Sequence, residues 1–226
     1  MPTGVRVVTE IQLSVAEIYR SLQGETSRVG CPTVLVRLAG CPLRCVWCDT
    51  PGALLSEQGK PMSVEAILAA VAQAGAGDVL LTGGEPLVQE GAIALLGRLV
   101  DTGRRALLET SGALPIHAVP RGVKIIMDLK APGSGMVEHN RLANLGLLGP
   151  EDEIKIVVAD RADFDWAVAL CRQHRLTERV GSVLLSPAAP DTSPRELAQW
   201  ILDSRMNLRL QLQMHKIVWG SDAQGV

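Results

Sequence analysis

From residue 33 onward, short aliphatic runs alternate with amphipathic stretches. The runs TVLVRLAG (33–40), DVLLTGG (78–84), RALLETSG (105–112), VKIIMDLK (123–130), EIKIVVAD (153–160), VGSVLLSPA (180–188) and NLRLQLQMH (207–215) predict strands. Several are continuous Val, Ile and Leu, as expected of parallel strands buried on both faces. The earlier segment SVAEIYRSLQGE (14–25) can supply one more strand. Between the runs, SVEAILAAVAQAG (63–75) predicts a helix capped by Ser63, and EPLVQEGAIALLGRLVDTG (85–103) one with Pro86 in its first turn. In SPRELAQWILDS (193–204), Ser193 and Glu196 form a capping box around Pro194. Phe164, Ala167, Val168 and Cys171 fall at i, i+3, i+4 and i+7, one apolar helix face.

Strand and helix alternating this often mean βαβ units and a mostly parallel sheet. Right-handed crossovers curl seven or eight such units into a full or partial (β/α) barrel, with a flat doubly wound sheet as the competing arrangement. Nothing resembles an interdomain linker, so residues 1–226 are expected to form a single domain.

Composition narrows the function. A formal charge of −2 and few aromatics, four Trp, one Tyr and one Phe, give no footing for nucleic acid. No apolar run approaches the ~18 residues that span a bilayer. The opening MPTGVRVVTE lacks the pattern of a signal peptide. The expected location is the cytoplasm, with thiols reduced, and five cysteines are an odd number for a disulfide framework.

Polar and glycine-rich stretches follow the strand runs: the cysteine loop after the first, then TGGEP (82–86), ETSG (109–112), DLK (128–130), SP (186–187) and QMHK (213–216). In a parallel barrel all six share one rim, where such folds build their sites. Gly83 and Gly84 serve either a tight turn or a close backbone approach to a ligand, and Glu85 could meet an ammonium group.

CPLRCVWCDT (41–50) places Cys41, Cys45 and Cys48 in a C-x3-C-x2-C array. A structural zinc site closes with four ligands, and His117, His139, His174 and His215 are all distant in sequence. Redox thiol chemistry needs only C-x-x-C and leaves Cys41 unexplained. A four-iron cluster held by three thiolates uses all three and leaves one iron open. Cys31 is either a fourth ligand or an inert thiol, and Cys171 belongs to a core face.

C-x3-C-x2-C after the first barrel strand, followed by GGEP, resembles the radical S-adenosylmethionine (SAM) superfamily. Within it, EIYRSLQGE (17–25), VRLAGCPLRCVWCDT (36–50), LTGGEPL (81–87), LETSG (108–112), EIKIV (153–157) and LQMHK (212–216) resemble the 7-carboxy-7-deazaguanine synthase family over nearly the full length. The resemblance implies a carbon–nitrogen lyase with a [4Fe–4S] cluster, SAM and Mg²⁺. The methionine amino and carboxylate groups chelate the open iron, and a 5′-deoxyadenosyl radical takes hydrogen from C6 of 6-carboxy-5,6,7,8-tetrahydropterin. The ring contracts, ammonia leaves, and 7-carboxy-7-deazaguanine forms on the queuosine and deazapurine pathway.

The resemblance assigns Cys41, Cys45 and Cys48 to the cluster and Thr50 to Mg²⁺, with Asp49 as the competing ligand. Gly84, Glu85, Ser111, Asp128, Leu129, Lys130 and Ser186 would contact SAM. Leu22, Gln23, Gly24, Arg37 and Thr82 would surround the pterin. Arg37 is a cation inside an apolar strand, where burial demands an anionic partner. That partner is either a substrate carboxylate or an internal salt bridge. The implied partners are the pterin, a reductant such as flavodoxin or ferredoxin, and a second copy in a homodimer, with no nucleic acid and no membrane. Two other functions remain open: an activase that makes a glycyl radical on a partner protein, and a non-enzymatic iron–sulfur or zinc protein.

Overall fold

The computed structural model describes residues 11–75, 77–188, 192–220 and 225. Among these residues the strands are β1 (Gln12–Leu22), β2 (Pro32–Leu38), β3 (Lys60–Ser63), β4 (Asp78–Gly83), β5 (Arg105–Thr110), β6 (Lys124–Leu129), β7 (Glu153–Val158), β8 (Ser182–Pro187) and β9 (Arg209–Leu210). They form one open sheet in the order β3-β1-β2-β4-β5-β6-β7-β8-β9. From β2 to β9 every pairing is parallel. The helices are α1 (Val64–Ala74), α2 (Gly91–Asp101), α3 (Arg161–His174), α4 (Leu176–Arg179), α5 (Pro194–Ser204) and α6 (Met214–Trp219).

From β2 onward the order never reverses. Right-handed crossovers that all step the same way carry their helices to one face, whereas a doubly wound sheet reverses and covers both. The register shows that single helical face. Val34, Val79 and Ala106 are paired in turn across β2, β4 and β5, as are Met127, Ile154 and Val183 across β6, β7 and β8. The first row packs in one core with Ile67 and Val71 of α1 and Leu95 of α2. The second packs with Phe164 and Cys171 of α3 and Leu197 of α5. The fold is therefore a partial barrel.

The opposite, concave face is only partly apolar. Leu80, Leu107 and Ile126 form its small core with Leu35 against them. Toward the strand ends that face turns polar: Arg37 pairs with Thr82, and Asp128 with Lys155. This alternation positions the site.

Two expectations change, and the β1 edge adds detail. The segment 14–25 does join the sheet, as β1, but antiparallel to β2 with a bulge between Val15 and Glu17. β3 (KPMS), for which the sequence pattern predicts no strand, pairs antiparallel with β1 and closes that edge, with its Pro near the strand start. The helix expected over 85–103 is broken into a 3₁₀ turn at Pro86–Val88 and α2. Gln89 holds the break: its side chain accepts from Ser14 N (2.7 Å) and donates to Ser14 O (3.0 Å) and Ala39 O (2.9 Å). The strand expected over 207–215 shrinks to Arg209–Leu210. Gln211 Nε2 takes the Leu212 carbonyl at 2.7 Å, and the chain turns into α6.

Local signals hold elsewhere. Ser63 accepts from Ala66 N at the start of α1, and Ser193 and Glu196 form the capping box of α5. Cys171 is fully buried, and burial pushes its thiol up to about 12.

Candidate active site

The six rim stretches enclose one cavity of about 610 Å³ at the C-terminal ends of the parallel strands. Cys41, Cys45 and Cys48 all face it from the loop after β2. Among the described residues, no three His, Cys, Asp or Glu converge closely enough for a single metal ion. A cubane is wider than an ion, and each thiolate would take its own iron. Burial raises the Cys41 and Cys45 thiols, and the neighbouring carboxylates Glu85 and Asp128, respectively, add to the rise. Cys31 is not among the residues lining the cavity. It closes a turn, with Gln23 N donating to its carbonyl at 2.8 Å.

The two glycines of TGGEP serve a backbone approach, and the backbone is the chain's own. A Cβ on Gly83 would lie 2.1 Å from Leu38 O, and one on Gly84 would lie 2.4 Å from Gly40 O and 2.5 Å from Ala53 O. The stretch is stitched to the cysteine loop by Gly84 N to Leu38 O (3.0 Å) and Glu85 N to Gly40 O (2.8 Å). Glu85 is turned away from the cavity and fully buried. Its carboxylate accepts from Leu87 N (3.0 Å), Thr110 Oγ1 (2.8 Å), Ser111 N (2.7 Å) and Ser111 Oγ (2.5 Å). Four donors leave nothing for the ammonium group expected there: Glu85 is a brace between the turns after β4 and β5. Leu129 is a second correction, since its side chain points to the helix face and packs in the core. Gly84, Ser111, Asp128, Lys130 and Ser186 do line the cavity, as do Leu22, Gln23, Gly24, Arg37, Thr82 and Thr50.

Arg37 already has an internal partner, Glu17 Oε1 at 2.6 Å from its Nε. Burial works against its charge, but Glu17 and Tyr19 outweigh that and raise its pKa. Thr50 Oγ1 donates to Asp49 Oδ1 at 3.0 Å, and Gln213 Nε2 donates to Asp49 Oδ2 at 3.0 Å. Burial opposes ionisation of Asp49, yet the Gln213 bond and Lys155 bring its carboxyl down to about 2.

Sequence reading missed a cluster of buried charge. Lys155 Nζ bonds Glu25 Oε2, lies 3.0 Å from Glu109 Oε1 and 3.5 Å from Asp128 Oδ2. Glu109 also accepts from Thr82 Oγ1 at 3.1 Å. Lys130 Nζ stands 3.2 Å from Asp128 Oδ1. His215, on α6, reaches over Gly24, where a Cβ would lie 2.1 Å from its Nδ1, and Met214 N donates to Gly24 O at 2.9 Å. Burial and Lys216 lower the His215 pKa. The missed signal was a charge inside each aliphatic strand, besides the one that opens it: Glu109 in RALLET and Lys155 in EIKIVV, at positions facing away from the helices.

Buried side-chain atoms without a hydrogen bond are scarce in folded proteins. Among the described residues, Ser186 Oγ, Gln23 Nε2, Glu25 Oε1 and Asp128 Oδ1 are four such atoms, and all belong to residues lining this cavity; Ser21 Oγ and His174 Nε2 lie off it. A polar ligand would satisfy them. Three free thiols at one end, polar atoms without partners and a cation-bearing wall fit an iron–sulfur cluster, SAM and an anionic substrate.

The model of the Radical SAM superfamily matches residues 35–201. A 7-carboxy-7-deazaguanine synthase of Koribacter versatilis is 42% identical over 95% of this chain and 100% of its own length. One of Chlorobaculum tepidum is 44% identical over 96% and 99%. The chain belongs to the 7-carboxy-7-deazaguanine synthase family of radical SAM enzymes. Its fold matches the crystal structure of QueE from Escherichia coli with a TM-score of 0.71 at 25% identity, covering 90% of this chain and 95% of that one. Membership in the synthase family makes the chain a radical SAM lyase with a [4Fe–4S] cluster and SAM, and the activase and non-enzymatic readings fall away.

Proposed function

We propose that this cavity converts 6-carboxy-5,6,7,8-tetrahydropterin to 7-carboxy-7-deazaguanine with loss of ammonia. The supporting observation is that the cysteine loop and the segments assigned to the pterin, Leu22–Gly24, Arg37 and Thr82, wall one cavity in a chain so similar to named synthases. When bound, the cluster and SAM supply a carbon radical able to take hydrogen from an unactivated C–H bond.

The chain's own residues do the rest. Cys41, Cys45 and Cys48 would hold three irons as thiolates. Lys130 and Asp128 present both charges on the wall at the end of β6, as a zwitterionic amino acid requires. Ser186 Oγ offers an unpaired hydroxyl near the end of β8. Arg37 can exchange Glu17, whose side chain is 37% exposed, for a substrate carboxylate. Thr50, its proton on Asp49, keeps oxygen lone pairs for Mg²⁺, a hard cation that otherwise holds waters and substrate oxygens.

The reading extends to a cytoplasmic enzyme that works as a single domain, as a homodimer, and takes its electron from a flavodoxin- or ferredoxin-like reductant. No helix among the described residues is long and apolar enough to cross a membrane. Anaerobic incubation of reconstituted protein with SAM, a reductant and the carboxypterin, followed by mass spectrometry, tests the reaction. Formation of carboxydeazaguanine and ammonia is expected; SAM cleavage with no pterin-derived product overturns it.

A further inference from the structure

Three strands and one loop bring Glu25, Glu109 and Asp128 around a single ammonium, Lys155, which is 6% exposed. Lys155 and Asp128 face each other across the β6–β7 ladder. Burying so much charge is costly unless its balance serves something, and the balance here is uneven. Glu25 has one oxygen on Lys155 and the other without a partner. Glu109 has one oxygen on Lys155 and the other on Thr82, and its side chain is 23% exposed on the cavity.

The reaction needs such an asymmetry. Substrate and product differ by one ammonia, so nothing is oxidised or reduced overall. Forming the aromatic five-membered ring removes a proton from a ring carbon, and the nitrogen that departs must gain protons. A carboxylate that takes the carbon's proton and then gives it to the departing nitrogen ends as it began. It must be ionised at the start, face the substrate, and stand beside a fixed positive charge.

We propose that Glu109 is this proton acceptor and donor, and that Lys155 is the positioning residue that keeps it ionised and aimed into the cavity, with Glu25 as the competing carboxylate behind it. The proposal rests on the functional reading above. Burial alone would raise Glu109, but the charge of Lys155 and its hydrogen bond bring the carboxyl below its ordinary value. Burial raises Glu25 despite Lys155. Opposite displacement of two neighbouring carboxyls is the pattern by which acid and base roles separate. The other charged or titratable groups on this cavity are Asp128 and Lys130 at the end of β6, Asp49 and the three thiols in the cysteine loop, His215 and Lys216 on α6, and the Glu17–Arg37 pair with Tyr19. Lys155 is the one for which a hydrogen bond to Glu109 is found among the described residues.

Replacing Glu109 by Gln should lower kcat about 100-fold or more while SAM and pterin dissociation constants stay within about threefold. Lys155→Met should move the acid limb of the kcat/KM profile up by at least one pH unit, because burial then acts on Glu109 without the charge and hydrogen bond that oppose it. A limb at the parent's position, at whatever amplitude, assigns Lys155 to the fold and overturns the proposal. Should Lys155→Met not fold, Glu25→Gln reads the same coupling with opposite sign. Removing the competitor leaves Lys155 to Glu109 and the more distant Asp128 and moves the limb down, and an unmoved or raised limb overturns the proposal. A parent that makes no carboxydeazaguanine ends the functional reading instead. The Lys155–Glu109 coupling is then still decided in the ligand-free protein, by infrared titration of the carboxylate lost in Glu109→Gln.

Discussion

Arg37 and Glu17 face each other across the β1–β2 ladder, with Arg37 Nε 2.6 Å from Glu17 Oε1. The guanidinium is therefore satisfied before any substrate arrives. Arg37 is the more enclosed partner, 17% exposed against 37% for Glu17, so Glu17 can return to water when a substrate carboxylate takes its place. Arg37→Met should weaken pterin binding about 30-fold or more, the equivalent of losing a desolvated charge pair of ~2–5 kcal/mol. Glu17→Gln should leave pterin affinity equal or tighter. Anaerobic calorimetry checks both, with SAM affinity as the control. Parent-like pterin binding by Arg37→Met would confine this arginine to the β1–β2 ladder.

The thiols divide by where they point. Cys41→Ala, Cys45→Ala or Cys48→Ala should each abolish the cluster, seen as loss of iron and of the charge-transfer absorption after reconstitution. Cys31→Ser, off the cavity, should keep it. Cys171→Ser should also keep it but lower stability by about 1–3 kcal/mol, because it buries a hydroxyl without a partner. Because burial raises the Cys41 and Cys45 thiols and only thiolates ligate iron, assembly should quicken as pH rises from 7 toward 9. Iron loss in Cys31→Ser would restore it as a fourth ligand.

Glu85 ties two rim turns together without touching the cavity. Glu85→Gln replaces an acceptor of four hydrogen bonds with a group half of which is a donor. Buried donors are left unpaired, and the cost should be on the order of 3 kcal/mol. Chemical denaturation should show the loss, and binding of SAM and pterin should weaken together as the turns after β4 and β5 loosen. Full stability in this variant would contradict the brace.

The architecture was legible because each buried strand carries its own signal. Continuous Val, Ile and Leu mark β4 to β8, and Ser63 and Ser193 mark helix starts. What stayed hidden depends on contacts remote in sequence. Gln89 breaks the helix expected over 85–103 only because Ser14 and Ala39 lie beside it. The motifs named the right rim but not the direction of each side chain: Glu85 and Leu129 sit in matching stretches and face inward. Glu109 and Lys155 illustrate the converse. Each is one charge in an aliphatic run, unremarkable alone, and their meaning appears when β5, β6 and β7 place both on the concave face with Asp128.

Thr50 and Asp49 are the two candidate ligands for the proposed Mg²⁺, and their hydrogen bonds differ. Asp49 accepts from Thr50 and, on its other oxygen, from Gln213. Both of its oxygens are engaged, and the bond to Thr50 turns the hydroxyl proton away from incoming cations. Thr50 is thus presented as an acceptor and Asp49 as the residue that aims it. Thr50→Val keeps the shape and removes the oxygen. It should retain the cluster and SAM binding and lose most of its Mg²⁺ stimulation. Gln213→Ala releases Asp49 without touching Thr50, and should raise the Mg²⁺ concentration for half-maximal activity severalfold with little change at saturation. Activity titrated against Mg²⁺ separates these outcomes. A Thr50→Val protein that responds to Mg²⁺ like the parent, beside an Asp49→Asn protein that does not respond, would move the metal to Asp49.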